Sequence, residues 1–232
     1  MRLTIKSKAD IIFDIVENWA IELEPEVEDW LDELAPKHFG AVAFHIDRLA
    51  AQGSALRMPI SRSLDDGLFE LRFDLERQAF RIRYYFAAVR RIVLLTVFRK
   101  QRMNERHEVH RARDAMAKCL REGHSAEDGQ RMTRVSWNEI KDRKLGSMTN
   151  AERAEYEQGY AEAKLAAEVG ERVRQAREAA GFSQRELASR MGTSQAAVAR
   201  LEAGGVGATL TTLQRVAAAL DLELSVDLRP TA

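Results

Sequence analysis

The chain has a single cysteine, Cys119, and no run of residues apolar and long enough to span a bilayer. One thiol cannot close an internal disulfide, so Cys119 is expected to be packed in a core and the protein to work in a reducing cytoplasm. The opening residues, MRLTIKSKADIIF, lack the sustained apolar stretch and small-residue cleavage site of a secretory signal. Positive charge is locally missing too: no Lys or Arg stands between Ala9 and Pro36, where acids crowd, an arrangement read as a shield for basic residues elsewhere. A ligand set for a metal is also lacking. His107 and His110 stand at helical spacing, but no carboxylate or cysteine cluster accompanies them, so no metal site is expected. His38 and His45 read as helix-surface residues.

What is present is a balanced chain of 232 residues, with 36 basic and 36 acidic side chains and an apolar fraction of 45%, enough for two cores. The balance hides segregation: residues 67–124 hold 14 basic side chains against 7 acidic ones, so this block wants an anion.

Residues 181–202, GFSQRELASRMGTSQAAVARLE, have the spacing of two short helices joined by a tight turn, the unit that sets a helix into the DNA major groove. Ser183 and Glu186 make a capping box, and Leu187, Ala188 and Met191 form the buried face of the first helix. Gly192 supplies the left-handed turn residue, and Ser194 caps the second helix. Val198 and Leu201 face inward, leaving Gln195, Ala196, Ala199 and Arg200 outward as base readers. A preceding helix carries Val169, Val173 and Ala176; a following one carries Leu210, Leu213, Val216, Ala217 and Leu220. The run resembles the Xre/Cro helix-turn-helix family over residues 168–220, including Gln184, Gln195 and Glu202. The resemblance implies base reading by Gln195 and backbone contact by Gln184, which suits an amide that pairs bidentately with adenine.

Upstream, residues 67–73, 80–86 and 90–98 alternate as three strands of an antiparallel meander. In the second, Phe80, Ile82, Tyr84 and Phe86 share one side while Arg81, Arg83 and Tyr85 share the other; Arg72 of the first strand falls on that second side. Arginines from neighbouring strands then converge. Residues 25–34 and 36–52 read as amphipathic helices, residues 11–19 as a first strand, and residues 105–121 as a closing helix with Val109, Ala112, Met116 and Leu120 inward.

Guanidinium forks bind phosphate bidentately and keep their charge, so Arg72, Arg81 and Arg83 suit a phosphate under attack, with Lys100 adding positive potential. Two plainer readings stand beside this one. Arg81 and Arg83 also suit cross-strand ion pairs with Glu70, Asp74 or Glu76, and Tyr84 and Tyr85 suit either core packing or the stacking of a base.

The segments LRMPISRSLDDGLFELRF (56–73), FRIRYYF (80–86) and IVLLTVFRKQ (92–101), followed by a helix, resemble the HigB-like branch of the RelE toxin superfamily over residues 10–122. That resemblance implies an endoribonuclease that cuts messenger RNA, typically on the ribosome and without a metal or other cofactor. It implies the strongest role for Arg81, then Arg72 and Lys100, and a place for His110 on the closing helix. Residues 123–148 read as a polar linker, and from Met132 onward the chain resembles the start of a HigA-type antitoxin. Residues 133–165 are expected to pack on the toxin domain through Trp137, Ile140, Tyr156 and Tyr160. Residues 1–124 alone should then be toxic and the whole chain harmless.

The chain is therefore expected to be α+β. Residues 1–124 would form a RelE-like antiparallel sheet with helices, 125–165 a linker and toxin-contacting segment, and 166–232 an all-α helix-turn-helix domain. Thr149 and Glu152 predict a helix start, leading into one helix or two broken at Gly159 or Gly170. Residues 222–228 alternate as a closing strand that needs a partner, most simply the same strand of a second copy. Expected partners are operator DNA, messenger RNA and a homodimer mate bound through the C-terminal domain, with no membrane. The competing reading is a plain DNA-binding regulator whose RelE-like domain has lost catalysis.

Overall fold

The computed structural model describes residues 18–76, 78–101, 105–122, 134–205 and 208–226. Strand β1 (Ala20–Leu23) leads into helices α1 (Pro25–Glu33) and α2 (Pro36–Gln52). Each helix opens on a proline, whose missing N–H costs nothing in a first turn. Three strands follow, β2 (Ser61–Ser63), β3 (Leu68–Leu75) and β4 (Gln78–Ala87), then β5 (Arg91–Arg99) and helix α3 (Glu105–Glu122). The rest comprises β6 (Val135–Ser136) and helices α4 (Trp137–Ser147), α5 (Asn150–Ala179), α6 (Gln184–Arg190), α7 (Gln195–Glu202) and α8 (Leu210–Ala219).

The sheet runs β2-β3-β4-β5-β1-β6. Neighbours are antiparallel except β1 and β5, which run parallel, so the expected antiparallel meander becomes the middle of a mixed sheet. The fold is α+β, as its element pattern predicted. Strand alternation sorts the two faces as expected. Phe69, Leu71, Phe73, Phe80, Ile82, Tyr84 and Phe86 pack with Val27, Leu31, Phe39, Val42, Ile46 and Leu49 of α1 and α2. On the other face Leu68, Tyr85, Val93 and Leu95 pack under α3 through Ala112 and Cys119. Each large side chain so buried contributes about 1.5–3 kcal/mol.

The first core is completed by residues far along the chain. Trp137, Ile140 and Tyr156 are buried in it, with Trp137 and Tyr156 against the ring of Phe39 at 5.8 and 5.7 Å. Helix α5 is one unbroken rod of 30 residues, opened by the Thr149–Glu152 capping box. Its two glycines are crossing points, not breaks. A Cβ on Gly159 would sit 1.9 Å from the carbonyl oxygen of Lys37, and one on Gly170 would sit 2.6 Å from that of Leu201. The first half of α5 thus lies on α2. The second half joins Val173 to Leu187, Met191, Val198, Leu201, Val216 and Leu220 in a separate helical core.

Several expectations need correction. The first strand is Ala20–Leu23; Asn18 and Trp19 precede it, and residues 11–17 lie outside the described residues. Residues 137–147 of the supposed linker are helix α4, nucleated by a Ser136–Glu139 capping box, while residues 123–133 lie outside the described residues. The buried stripe of α3 uses Cys119 in place of Leu120, which is exposed, and Leu210 is also exposed. His45 is buried, its ring stacked on Phe73 at 5.2 Å. Residues 222–226 form no strand in the single chain, and 227–228 lie outside the described residues. No described helix is long and apolar enough to cross a membrane.

Candidate functional site

Strands β3 and β4 set the basic residues by register. Arg72 stands directly opposite Arg81, and Glu70 directly opposite Arg83, all on the face beneath α3. The arginines do converge, but around a carboxylate. Glu70 lies 3.1 Å from Arg72 Nε, 3.6 Å from Arg81 Nε and 2.9 Å from Arg83 Nη1. Arg83 is 1% exposed, Arg81 8% and Glu70 4%; only Arg72 reaches partly into solvent. The cross-strand ion-pair reading is therefore what the geometry shows for Arg81 and Arg83.

The pairing is incomplete. The Arg83 Nη1 group is close to Glu70 but not aligned to donate to it, and Arg81 Nε, Arg83 Nε and the Thr96 hydroxyl are buried without a hydrogen-bond partner. Arg81 Nη1 donates to the Phe80 carbonyl at 2.6 Å, and the Arg83 guanidinium lies 5.0 Å from the centre of the Phe98 ring. Burial pulls both guanidinium pKa values below their ordinary range, with Glu70 working in the opposite direction. The three guanidiniums stand against Glu70 and the neighbouring Asp74, and Glu105 acts on Arg81 and Arg83 as well, so carboxylates largely balance the charge of this partly desolvated face. An oxyanion would have to compete with those carboxylates for the guanidinium donors.

The other basic candidates differ: Lys100 borders the cluster through Glu105, which acts on Arg81 and Arg83, whereas His110 does not reach it. Lys100 is paired with Glu105 at the start of α3, at 2.8 Å. His110 is on the solvent side of α3, its side chain 79% exposed and bonded to Asp114 on the same helix at 3.0 Å. It is not brought to the arginines. Tyr84 and Tyr85 are both buried, and burial pushes the Tyr84 hydroxyl up to about 12 although Ser61 bonds it at 2.6 Å. They are core residues, not a platform for bases. Thr96 escaped notice in the sequence, although a lone hydroxyl inside IVLLTVF was the signal available.

The acidic stretch shields part of the basic block, Glu22 pairing with Arg91 and Glu26 with Arg111, and it also takes cations from further along the chain. Glu22 and Glu24 take the guanidinium of Arg134, itself 4% exposed, at 3.3 and 2.6 Å. Burial, reinforced by Glu24, pushes the Cys119 thiol up to about 11, with the sulfur 3.1 Å from Glu24. Glu28 and Asp32 take Arg143 at 3.1 and 2.6 Å, and Asp47 takes the Trp137 indole N–H, Lys141 and the Tyr160 hydroxyl. The described part of the stretch without cations, together with Asp47 of α2, thus receives cations from residues 134–144 as well as from the basic block.

In the C-terminal region the local chemistry is as predicted. Ser183 and Glu186 form the capping box of α6, Gly192 has φ 61°, and Ser194 accepts from the Ala197 amide at 3.2 Å. Gln195, Ala196 and Arg200 are exposed on α7, and Ala199 is half-buried. Gln184 is not free: its amide donates to Glu202 at 2.9 Å, beside the two bonds from Arg177 to the same carboxylate at 2.6 and 3.0 Å.

Two parts of different build thus share one helix: an α+β domain with a sheet-borne arginine cluster, and a small helical domain with a helix-turn-helix. Residues 29–117 match the family model of phage-derived Gp49-like proteins, and residues 173–226 match the helix-turn-helix model. The chain carries a domain of the Gp49-like family, of RelE/HigB toxin type, followed by an Xre-type helix-turn-helix DNA-binding domain. No curated protein and no solved structure matches the chain.

Proposed function

We propose that the chain is a toxin–antitoxin fusion. Its Gp49-like part is an endoribonuclease for messenger RNA, held inactive by the segment that follows it, and its helix-turn-helix part binds operator DNA and represses its own transcription. The observation that carries this reading is the docking of Trp137, Ile140 and Tyr156 into the core of the Gp49-like domain, with Arg134 buried between Glu22 and Glu24. A clasp tied to its target acts at an effective concentration on the order of millimolar. In this reading Arg72, Arg81 and Arg83 hold the scissile phosphate and stabilise charge on five-coordinate phosphorus, with Lys100 adding potential. His110 would have to leave Asp114 before it could move a proton at that phosphate. The protein works in the cytoplasm, and the helix-turn-helix parts of two copies read two half-sites.

One observation favours a second reading, a DNA-binding regulator whose Gp49-like domain is catalytically inactive. Glu70 occupies the centre of the guanidinium cluster, where a phosphate would have to sit. The experiment uses the whole chain, because cutting at residue 124 would strip Trp137 and Ile140 from the core and Arg134 from its carboxylates. Replacing Gly159 by Leu forces α5 off α2. Growth arrest on inducing that variant, with RNA cut in the arrested cells and both effects cancelled by adding Arg81→Ala, supports the nuclease. Unimpaired growth with intact RNA, in a variant shown by proteolysis to be loosened, leaves the regulator.

A further inference from the structure

Asp74 lies near the end of β3, on the same face as Glu70 and Arg72, and is 10% exposed at its side chain. Its Oδ2 is 3.4 Å from Nε of Arg200, the outward cation of α7. The turn after α7 is seated on this pair. A Cβ on Gly205 would lie 2.5 Å from Arg200 Cγ and 3.0 Å from Asp74 Oδ2, so the backbone passes with no room for a side chain. The contact is held from behind by a rod: α5 crosses α2 at Gly159 and α7 at Gly170, and Glu202 ties α7 to Arg177 of α5. The DNA-facing helix is thereby fixed against the sheet that carries the arginines.

We propose that Asp74 is a latch on the DNA-reading helix, holding Arg200 in the free chain and lowering its affinity for duplex DNA. The proposal rests on α7 being the helix that enters the major groove. Arg200 is 59% exposed at its side chain, so its remaining donors are open to a phosphate, but the carboxylate beside it competes for the charge and repels the backbone. Asp74 also faces Arg72 and Arg81, which gives it somewhere to go. When DNA takes Arg200, Asp74 turns to those two guanidiniums and deepens their neutralisation. Linkage makes the effect reciprocal: an anion that engages Arg72 and Arg81 strengthens the hold of Asp74 on Arg200 and weakens DNA binding.

The test is a double-mutant cycle on the full chain, reading retardation of duplex DNA from the region upstream of the coding sequence. Asp74→Asn should tighten binding on the order of threefold, the range of a partly exposed ion pair, and Arg200→Ala should weaken it. In the Arg200→Ala background, Asp74→Asn should then do nothing. A gain of the same size in both backgrounds would mean that Asn acts only by lowering general repulsion, and would overturn the latch. Gln195→Ala separates the underlying reading: if it and Arg200→Ala both leave retardation unchanged, or no variant binds, α7 is not the DNA-reading helix and the proposal falls with that reading. Thermal melting of each variant checks that the fold is intact.

Discussion

Arg83 Nη1 stands 2.9 Å from Glu70 Oε2, with neither side chain open to water. A buried ion pair is weak evidence for stability in itself, but removing one partner strands the other's charge at a cost of about 3–5 kcal/mol. Glu70→Gln in the full chain should therefore lower the urea midpoint strongly. Adding Arg83→Met, which removes the stranded charge and keeps the volume, should recover much of the loss. A neutral Glu70→Gln would show that water reaches the cluster.

The crossing of α5 over α2 makes a different demand, on space. Gly40 and Gly159 both lack room for a Cβ, at 2.1 Å from the Tyr156 carbonyl oxygen and 1.9 Å from that of Lys37. Backbone on both sides leaves nothing flexible to move. Gly159→Ala should cost about 2 kcal/mol by overpacking and speed amide exchange along α2 and the first half of α5. Exchange unchanged from the wild type would mean that the two helices separate freely.

Much of this was readable because it is local. Helices α1 and α2 follow from the spacing of Val27, Leu31, Phe39, Val42, Ile46 and Leu49, and the capping boxes at Ser183 and Thr149 are fixed by residues three apart. Strand alternation put Arg72, Arg81 and Arg83 on one face. Alternation alone does not say whether arginines that share a face meet a ligand or a carboxylate; the register that sets Glu70 against Arg83 decides that. The parallel pairing of β1 with β5, the burial of Arg134 between Glu22 and Glu24, and the contact of Arg200 with Asp74 join residues some 70 to 126 positions apart. No periodicity carries such information. His45 reads as a surface residue only because histidine usually is one; its place between Phe44 and Phe73 depends on the sheet beneath α2.

That burial makes His45 a source of acid sensitivity. Burial, with a smaller push from Arg48, lowers its pKa from 6.5 to about 3, so it stays neutral in the fold and takes up a proton on unfolding. Its folded pKa is the lower of the two. The group thus costs nothing above about pH 6.5, and stability falls as the pH drops from there towards about 3, by about 1.4 kcal/mol per pH unit. Between about pH 6.5 and 5 the loss from this residue should be about 2 kcal/mol. His45→Phe keeps the stacking on Phe73 and removes the buried Nδ1, which lacks a hydrogen-bond partner. Urea midpoints over this range should fall less steeply for the variant; equal slopes would place the acid sensitivity elsewhere.

The two glutamines of the helix-turn-helix should separate into different roles, despite their matching positions at the helix starts. Gln195 is exposed at the first turn of α7, so its removal touches no packing. Gln195→Ala should weaken binding to upstream duplex DNA by about 1–3 kcal/mol while leaving the melting temperature unchanged. Gln184 is already committed to Glu202, the carboxylate that also holds Arg177. Gln184→Ala takes one donor from a buried acceptor and should cost about 1 kcal/mol of stability, with its effect on DNA following from that loss. Retardation assays paired with thermal melts distinguish the two. If Gln184→Ala weakened DNA binding as much as Gln195→Ala at an unchanged melting temperature, its amide would be leaving Glu202 to meet the phosphate backbone, and the network around Glu202 would be a switch rather than a brace.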